Sequence, residues 1–424
     1  MSRSAAVSLG GLTLRCRWLV PMTRPAVEDG WLRVERGRIV ALGRRAPPGG
    51  RGQVVDLGDA IVLPGLVNAH THLEFSDFAE PLDARGGLPA WIGQVVAARR
   101  DRIGASDAEA RSVAAIQRGL AESARSGVTS IGEIATSVPE HAYAGPGPAV
   151  RVFREGLGLR PGAAAGVLGG MAADLDGLMS AGVAAGISPH APYSVTAALG
   201  RRLLAEADRR RLPVAMHLLE SDAETELFAS GGGPFRRLLD ELGAWDAAAP
   251  PGLLPPAEWI SRLARAPRGI VVHATHIARD EAALARLARH RDRLAVAVCP
   301  RTTRAISGML PPLALLRDAG IRVAIGTDSR ASNPDLSVLA ECRVLVEAGL
   351  VSPNEALEMA TLHGAWALGF ERHAGRLAHG RPADLAILRP PAIPLLDPCA
   401  AALDPATVVA ATLRRGRVIA GRVD

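Results

Sequence analysis

AIVLPGLVNAHTH (60–72) is the stretch on which the fold turns. It is almost wholly apolar and β-branched until it ends in two imidazoles. A strand buried on both faces of a parallel sheet reads this way. Side chains alternate with period two along a strand, so His70 and His72 share one side of it. Seven further runs of the same kind follow: GVTSIGEI (127–134), AVRVFREGLGL (149–159), GVAAGISPHAP (182–192), LPVAMHLLE (212–220), GIVVHATHI (269–277), LAVAVCPR (294–301) and IRVAIGTDS (321–329). Between several of them lie segments with Leu and Ala at three- and four-residue spacing, such as AALGRRLLAEADRR (197–210) and RDEAALARLARH (279–290), which predict helices. Strand–helix alternation repeated eight times predicts an α/β protein built on a (β/α)8 TIM-type barrel rather than an open doubly wound sheet.

Outside the barrel the pattern changes. LTLRCRWLV, GWLRVERGRIVALG and GQVVDLG lie before it, and GRPADLAILRP and VVAATLRRGRVIAG after it. These short β-prone runs at both ends predict a small β-sandwich assembled from the N- and C-terminal segments. The expected boundaries are 1–59 and 372–424 for the two parts of the sandwich and 60–371 for the barrel. RPPAIPLLDP (389–398) reads as an extended connector, and Gly231–Gly233 with PPGLLPP (250–256) as an irregular excursion after the fifth run.

Composition closes several other routes. The 424 residues are 48% hydrophobic and 22% charged, which excludes a disordered chain. All 49 basic residues are arginine, so Schiff-base chemistry, a phosphate-loop lysine and a carbamylated lysine bridging two metals are all closed. The net charge of +6 comes from scattered arginines with no aromatic interleaving, which argues against nucleic acid as a partner. No apolar run reaches the roughly 20 residues of a membrane span. Arg15 and Arg17 interrupt the opening MSRSAAVSLGGLTLRCRW as a secretory signal, so a cytoplasmic, membrane-free protein is expected. Four cysteines without paired spacing indicate neither a disulfide framework nor a thiolate zinc site.

The polar residues gather at the ends of the runs, and in a parallel barrel those ends share the face where active sites are built. His70 and His72 there make half of a tetrahedral metal site, against the alternative of a solvent-facing loop pair. His217 offers a third nitrogen, or is a hydrogen-bonded core histidine. Asp328 in IGTDS follows a run that should be buried, where a carboxylate is costly without a cation or several donors. Its alternative is an N-cap. Glu220 should stand just past the fifth strand, where a proton carrier beside an activated water suits it better than a fourth ligand. His273 would face the same mouth, able to orient that water or polarise the leaving group.

PGLVNAHTHLE, HLLES, VVHATHI, IGTDS and ATLHGAWALG…GRLAHGRPADLAIL, in this order, resemble the amidohydrolase superfamily. The resemblance is closest to the branch of cytosine, guanine and S-adenosylhomocysteine deaminases and chlorohydrolases, and runs from about residue 10 to the C-terminus. It implies one divalent metal ion, Zn2+ first and Fe2+ as the alternative, held by His70, His72, His217 and Asp328. Glu220 and His273 then serve as proton shuttle and partner of the attacking water, with Asp328 accepting a proton. Glu155 ends the third run where a bridging carboxylate stands in some sugar-amide deacetylases, but the HxxE signature belongs to one-metal relatives. The implied activity is hydrolytic deamination of an N-heterocyclic amine, most of all a nucleoside-like small molecule of the aminodeoxyfutalosine, methylthioadenosine or S-adenosylhomocysteine type. His190, Tyr193, Glu74, Trp91 and Arg301 are the expected substrate contacts, and a homodimer is compatible with the resemblance. Thr302-Thr303 stands where relatives carry Ser-Asn, which bears on the substrate and not on the metal. The alternatives are a chlorohydrolase or cyclic amidohydrolase on the same centre, and a catalytically silent scaffold.

Overall fold

A computed structural model describes residues 11–45, 52–104, 106–159, 162–245, 254–392 and 397–423. Parts of the connector at 389–398 and of the excursion at 250–256 lie outside the described residues. The barrel strands are Leu66–Thr71, Val128–Ala135, Ala149–Gly156, Ala184–Pro189, Val214–Leu218, Gly269–His273, Leu294–Val298 and Arg322–Ile325. They pair in chain order, every neighbour parallel. The seam between the first and eighth is closed beyond the last regular pairing. Thr71 bridges Asp328 in parallel, His72 N donates to Asp328 O at 3.1 Å, and Thr327 and Asp328 N both donate to His70 O. Barrel closure itself therefore sets Asp328 beside His70 and His72.

Strand alternation sorts the core. Ala215, Ile270, Val272, Ala295, Ala297 and Ala324 fill the barrel interior, whereas Val214, Met216, Leu218, Val271, Val323 and Ile325 belong to the larger cluster shared with the surrounding helices. Alanines beside branched Ile270 and Val272 let the side chains of this eight-stranded interior fit together in layers. The helices predicted over 197–210 and 279–290 form as Ala197–Arg210, capped by Thr196, and Glu281–Arg289, capped by Asp280. Among the described residues no helix is long and apolar enough to cross a membrane.

The run at 60–72 holds two strands instead of one. Ile61–Pro64 pairs with Leu385–Leu388 and with Trp18 and Leu19 in the terminal sheet, and Leu66–Thr71 begins the barrel. Gly65 marks the change: a Cβ there would lie 2.2 Å from Thr129 Oγ1, and its N–H donates to Asp384 O at 2.9 Å. Among the described residues the terminal sheet has eight strands, drawn from both ends of the chain. It curls on itself where Ile39 N donates to Arg381 O and Ala383 N to Gly37 O. Leu14, Leu32, Ile39, Leu385 and Leu413 form its own core.

Candidate metal centre

His70 is the penultimate residue of the first strand, His217 lies in the fifth, and Asp328 follows the eighth by three residues. All are buried, as is His72. The ring centroids of His70, His72 and His217 lie 4.9 to 5.4 Å apart. Asp328 Oδ1 is 3.7 Å from His70 Nε2 and 3.6 Å from His72 Nε2, and the Nε2 atoms of His72 and His217 are 3.4 Å apart. His217 Nδ1 faces the His190 carbonyl at 3.0 Å, so its Nδ1–H donates there and its Nε2 lone pair turns to the cluster. Across that short gap His72 Nε2 offers a second nitrogen to a cation lying between the two rings. Neither ring nitrogen of buried His70 has a hydrogen-bond partner, a costly state for a neutral interior imidazole. Three imidazoles and one carboxylate oxygen converging this closely fit a divalent cation.

The electrostatics suit it too. Burial, then the neighbouring imidazoles, hold His72 and His217 well below the ordinary histidine range, which keeps them in the neutral form that binds metal. Burial opposes ionisation of Asp328, but the imidazoles of His70 and His72 beside it, at 3.7 and 3.6 Å, keep its carboxyl below the usual carboxylate range. Ser332 Oγ donates to Asp328 Oδ2 at 2.8 Å, leaving Oδ1 toward the histidines.

Opposite stands a second pair. Glu220 Oε1 is 3.3 Å from His273 Nε2. Burial, with Asp328 and Glu224, pushes Glu220 well above the usual carboxylate range, and burial pushes His273 down to about 3. A carboxylic acid and a neutral imidazole result. Local backbone aims both. His273 has the strand parity of outward-facing Val271, but its φ of 68° breaks the alternation and brings its ring within 5.7 Å of His70. Leu219 is left-handed at φ 56°, and the buried Glu224 carboxylate accepts the N–H groups of Leu219 at 3.0 Å and Glu220 at 2.8 Å. Glu224 sits in the first turn of helix Asp222–Ser230, capped by Ser221.

The expected substrate contacts surround this centre in different states. His190 Nδ1 pairs with Ser194 Oγ at 2.5 Å, and its Nε2 is 3.9 Å from Glu155. Tyr193 stacks on Phe235 at 4.2 Å. Trp91 packs in the same apolar cluster and donates to Ala331 O at 3.1 Å. Glu74 is bonded by Arg99 at 2.6 Å and Thr136 at 3.1 Å. Arg301 directs its fork to Glu341 at 2.8 Å and Asp335 at 2.7 Å. Glu155 is buried with neither carboxylate oxygen hydrogen-bonded. It forms a third close set of potential ligand atoms with His190 and His217, but the Arg99 guanidinium lies 3.8 Å away. A fixed positive charge at that distance opposes a second cation.

Glu224, Ser332 and Arg99 were not evident from the sequence. The signal for Glu224 was the acid four residues after Glu220 at a helix start; Ser332 and Arg99 carried none.

A closed parallel barrel with imidazoles and a carboxylate at the carboxyl rim defines a metal-dependent hydrolase. The chain belongs to the amidohydrolase family, which matches residues 61–419, and it is a hydrolase of carbon–nitrogen bonds. It is 28% identical over 411 residues to a 5-methylthioadenosine/S-adenosylhomocysteine deaminase of Moorella thermoacetica, covering 90% of this chain and 86% of the relative. The Helicobacter pylori aminofutalosine deaminase solved with methylthio-coformycin has the same fold, with a TM-score of 0.81 at 23% identity over 96% of this chain and 99% of that one. An adenosine deaminase of Xanthomonas campestris solved with bound zinc aligns with a TM-score of 0.74 and 25% identity, over 96% and 92% of the two chains.

Proposed function

We propose that the protein is a hydrolytic deaminase of 6-aminopurine nucleosides, with zinc held by His70, His72, His217 and Asp328. The observation that carries the reading is the Glu220–His273 pair at 3.3 Å beside the imidazole cluster. Amide hydrolysis needs no proton delivered to a ring nitrogen, whereas amidine-type deamination does. A divalent ion in such a site lowers the pKa of water from about 16 to about 7 and polarises the carbon under attack.

The side chains supply the remaining steps. Asp328, ionised, accepts the proton of the attacking water. Glu220, protonated because it is buried near Asp328 and Glu224, donates to the ring nitrogen adjacent to the amine-bearing carbon. Neutral His273 hydrogen-bonds the oxygen that adds to that carbon. Water's oxygen stays on the ring. Asp328 passes its proton to the amine, the exocyclic C–N bond breaks and ammonia leaves. The ring nitrogen keeps the proton from Glu220, and the hydroxyl proton of the adduct returns to Glu220 as the carbonyl forms. His190 and Tyr193 would contact the ring and ribose, with Trp91 packed in the apolar cluster that holds Tyr193, whereas Glu74 and Arg301, the other expected contacts, are already engaged by protein partners.

The test pairs zinc content with ammonia release from a panel of adenosine thioethers, aminodeoxyfutalosine, free adenine and chlorinated triazines. Stoichiometric metal with ammonia from the nucleosides is expected, lost on chelation and restored by zinc. Chloride release alone, or protein that binds no divalent ion, sinks the proposal.

A further inference from the structure

We infer that Thr302 is a positioning residue for the metal-binding carboxylate, acting through Ser332 to fix which oxygen of Asp328 faces the imidazoles; the inference rests on the zinc site of the reading above. Thr302 lies in helix Pro300–Ser307, which follows the seventh strand, and Ser332 in the loop after the eighth. The two are 30 positions apart in the chain, yet Thr302 Oγ1 is 2.9 Å from Ser332 Oγ. Ser332 Oγ in turn donates to Asp328 Oδ2 at 2.8 Å. Beyond Thr302 the row of bonds continues. Asn333 Nδ2 lies 3.1 Å from Thr302 Oγ1 and 3.0 Å from Glu341 Oε1, and it also donates to Thr327 O. Glu341 is held by Arg301, whose backbone N–H and Nε–H both donate to it at 2.8 Å. Thr302, Ser332, Asn333 and Glu341 are all buried, so these bonds are shielded from water.

The direction of the row follows from what each group can give. The Thr327 carbonyl and the Glu341 carboxylate face the Asn333 amide on its Nδ2 side, and a flip would set Oδ1 against both. Nδ2 has no lone pair to offer, so the Thr302 hydroxyl accepts there and sends its own proton to Ser332. Ser332 then cannot point its proton back at Thr302. Two acceptors remain for it, Asp328 Oδ2 at 2.8 Å and Ser329 O at 3.2 Å, and the nearer, charged one makes the stronger bond. Every donor from Asn333 onward therefore points toward the carboxylate, and each bond polarises the next. A carboxylate can turn about its Cβ–Cγ bond and exchange its oxygens. With Oδ2 taken by a hydroxyl that is itself held, Oδ1 stays 3.6 to 3.7 Å from the Nε2 atoms of His70 and His72. The Thr302 position, expected from the sequence to bear on the substrate, is thus joined to the metal ligand. Arg301, another expected substrate contact, anchors the far end of the same row.

The experiment measures zinc affinity by chelator competition, alongside kcat and KM for 5′-methylthioadenosine. It compares the unaltered protein with Thr302→Val, Thr302→Ser, Ser332→Ala and the double variant of Thr302→Val with Ser332→Ala. Valine keeps the shape and removes the hydroxyl. Thr302→Val should weaken zinc binding by about 10- to 100-fold, as losing a partner of a metal ligand does, and lower kcat of the zinc-saturated protein with KM unchanged. Thr302→Ser, which restores the hydroxyl, should recover both. Ser332→Ala should cost at least as much, and adding Thr302→Val to it should cost nothing more, because the two act through one bond to Asp328. Should the valine variant not fold, Thr302→Ala takes its place in the same cycle. Unaltered zinc affinity in Thr302→Val, a serine variant as weak as the valine one, or additive losses in the double variant overturn the inference. Zinc bound normally by an unaltered protein that deaminates nothing sinks the deaminase reading and leaves the affinity comparison to decide the inference; an unaltered protein that binds no zinc removes both.

Discussion

Left-handed backbone occurs in both parts of the molecule, under opposite conditions. In the terminal sheet Arg36, Arg45 and Arg415 have φ between 49° and 64° and are all exposed. Arg36 and Arg415 each precede a positive-φ glycine, Gly37 and Gly416, as two-residue hairpin turns require. At the barrel mouth Leu219, His273, Ala274 and Asp328 have φ between 51° and 68° and are all buried. Such a conformation costs an L-residue roughly 1–2 kcal/mol, and no turn calls for it there. It persists because closure of the barrel, the Glu224 carboxylate and backbone bonds such as Ala274 N to Leu218 O hold it. The same dihedral is turn chemistry in one region and an aiming device in the other.

Substitutions can press on that contrast. Asp328→Ala should abolish both zinc binding and turnover, read by metal analysis and ammonia release; retention of stoichiometric zinc would remove Asp328 from the ligand set. Glu220→Gln should keep its zinc and lose about 10²- to 10⁴-fold in kcat, and unchanged turnover would end the proton-carrier role. Glu224→Ala orphans two buried N–H groups, costing about 1–3 kcal/mol of stability each by denaturant titration. It should also lower kcat more than it raises KM, because Glu220 loses its fixed turn. Leu32→Ala removes a fully buried side chain from the sheet core and should cost about 2–5 kcal/mol with kcat of the folded protein unchanged. Arg415→Gly, at an exposed hairpin, should shift stability by no more than about 0.5 kcal/mol; a large change there would blur the distinction between the two regions.

The barrel was legible because strands buried on both faces leave near-continuous apolar runs, and because polar residues ended those runs on one rim. The place where the first run divides was not. LPGLVN is apolar on both sides of Gly65, and only contact with Thr129 and pairing with Leu385–Leu388 separate the two strands. Among the site residues, His70, His72, His217, Glu220, His273 and Asp328 stood out as strand-end polar groups, and the structure gathers them. What supports them was hidden by sequence distance or by ordinary appearance. Arg99 meets Glu155 from 56 positions away in a helix with no amphipathic signal of its role, and Ser332 is an unremarkable loop serine until Asp328 is placed beside it. Arg301 shows the converse: a rim arginine whose fork is engaged by Glu341 and Asp335, acids 40 and 34 residues further along the chain.

The division at Gly65 has a mechanical consequence. Only four residues separate it from His70, and the segment before it is stitched into the terminal sheet on both edges. That sheet is a clamp on the rod that carries the first two imidazoles, rather than a detachable accessory. A trimmed barrel beginning at Leu66 would leave that rod free to slide or twist by fractions of an ångström, and any transplant of this centre into another scaffold must bring the clamp along.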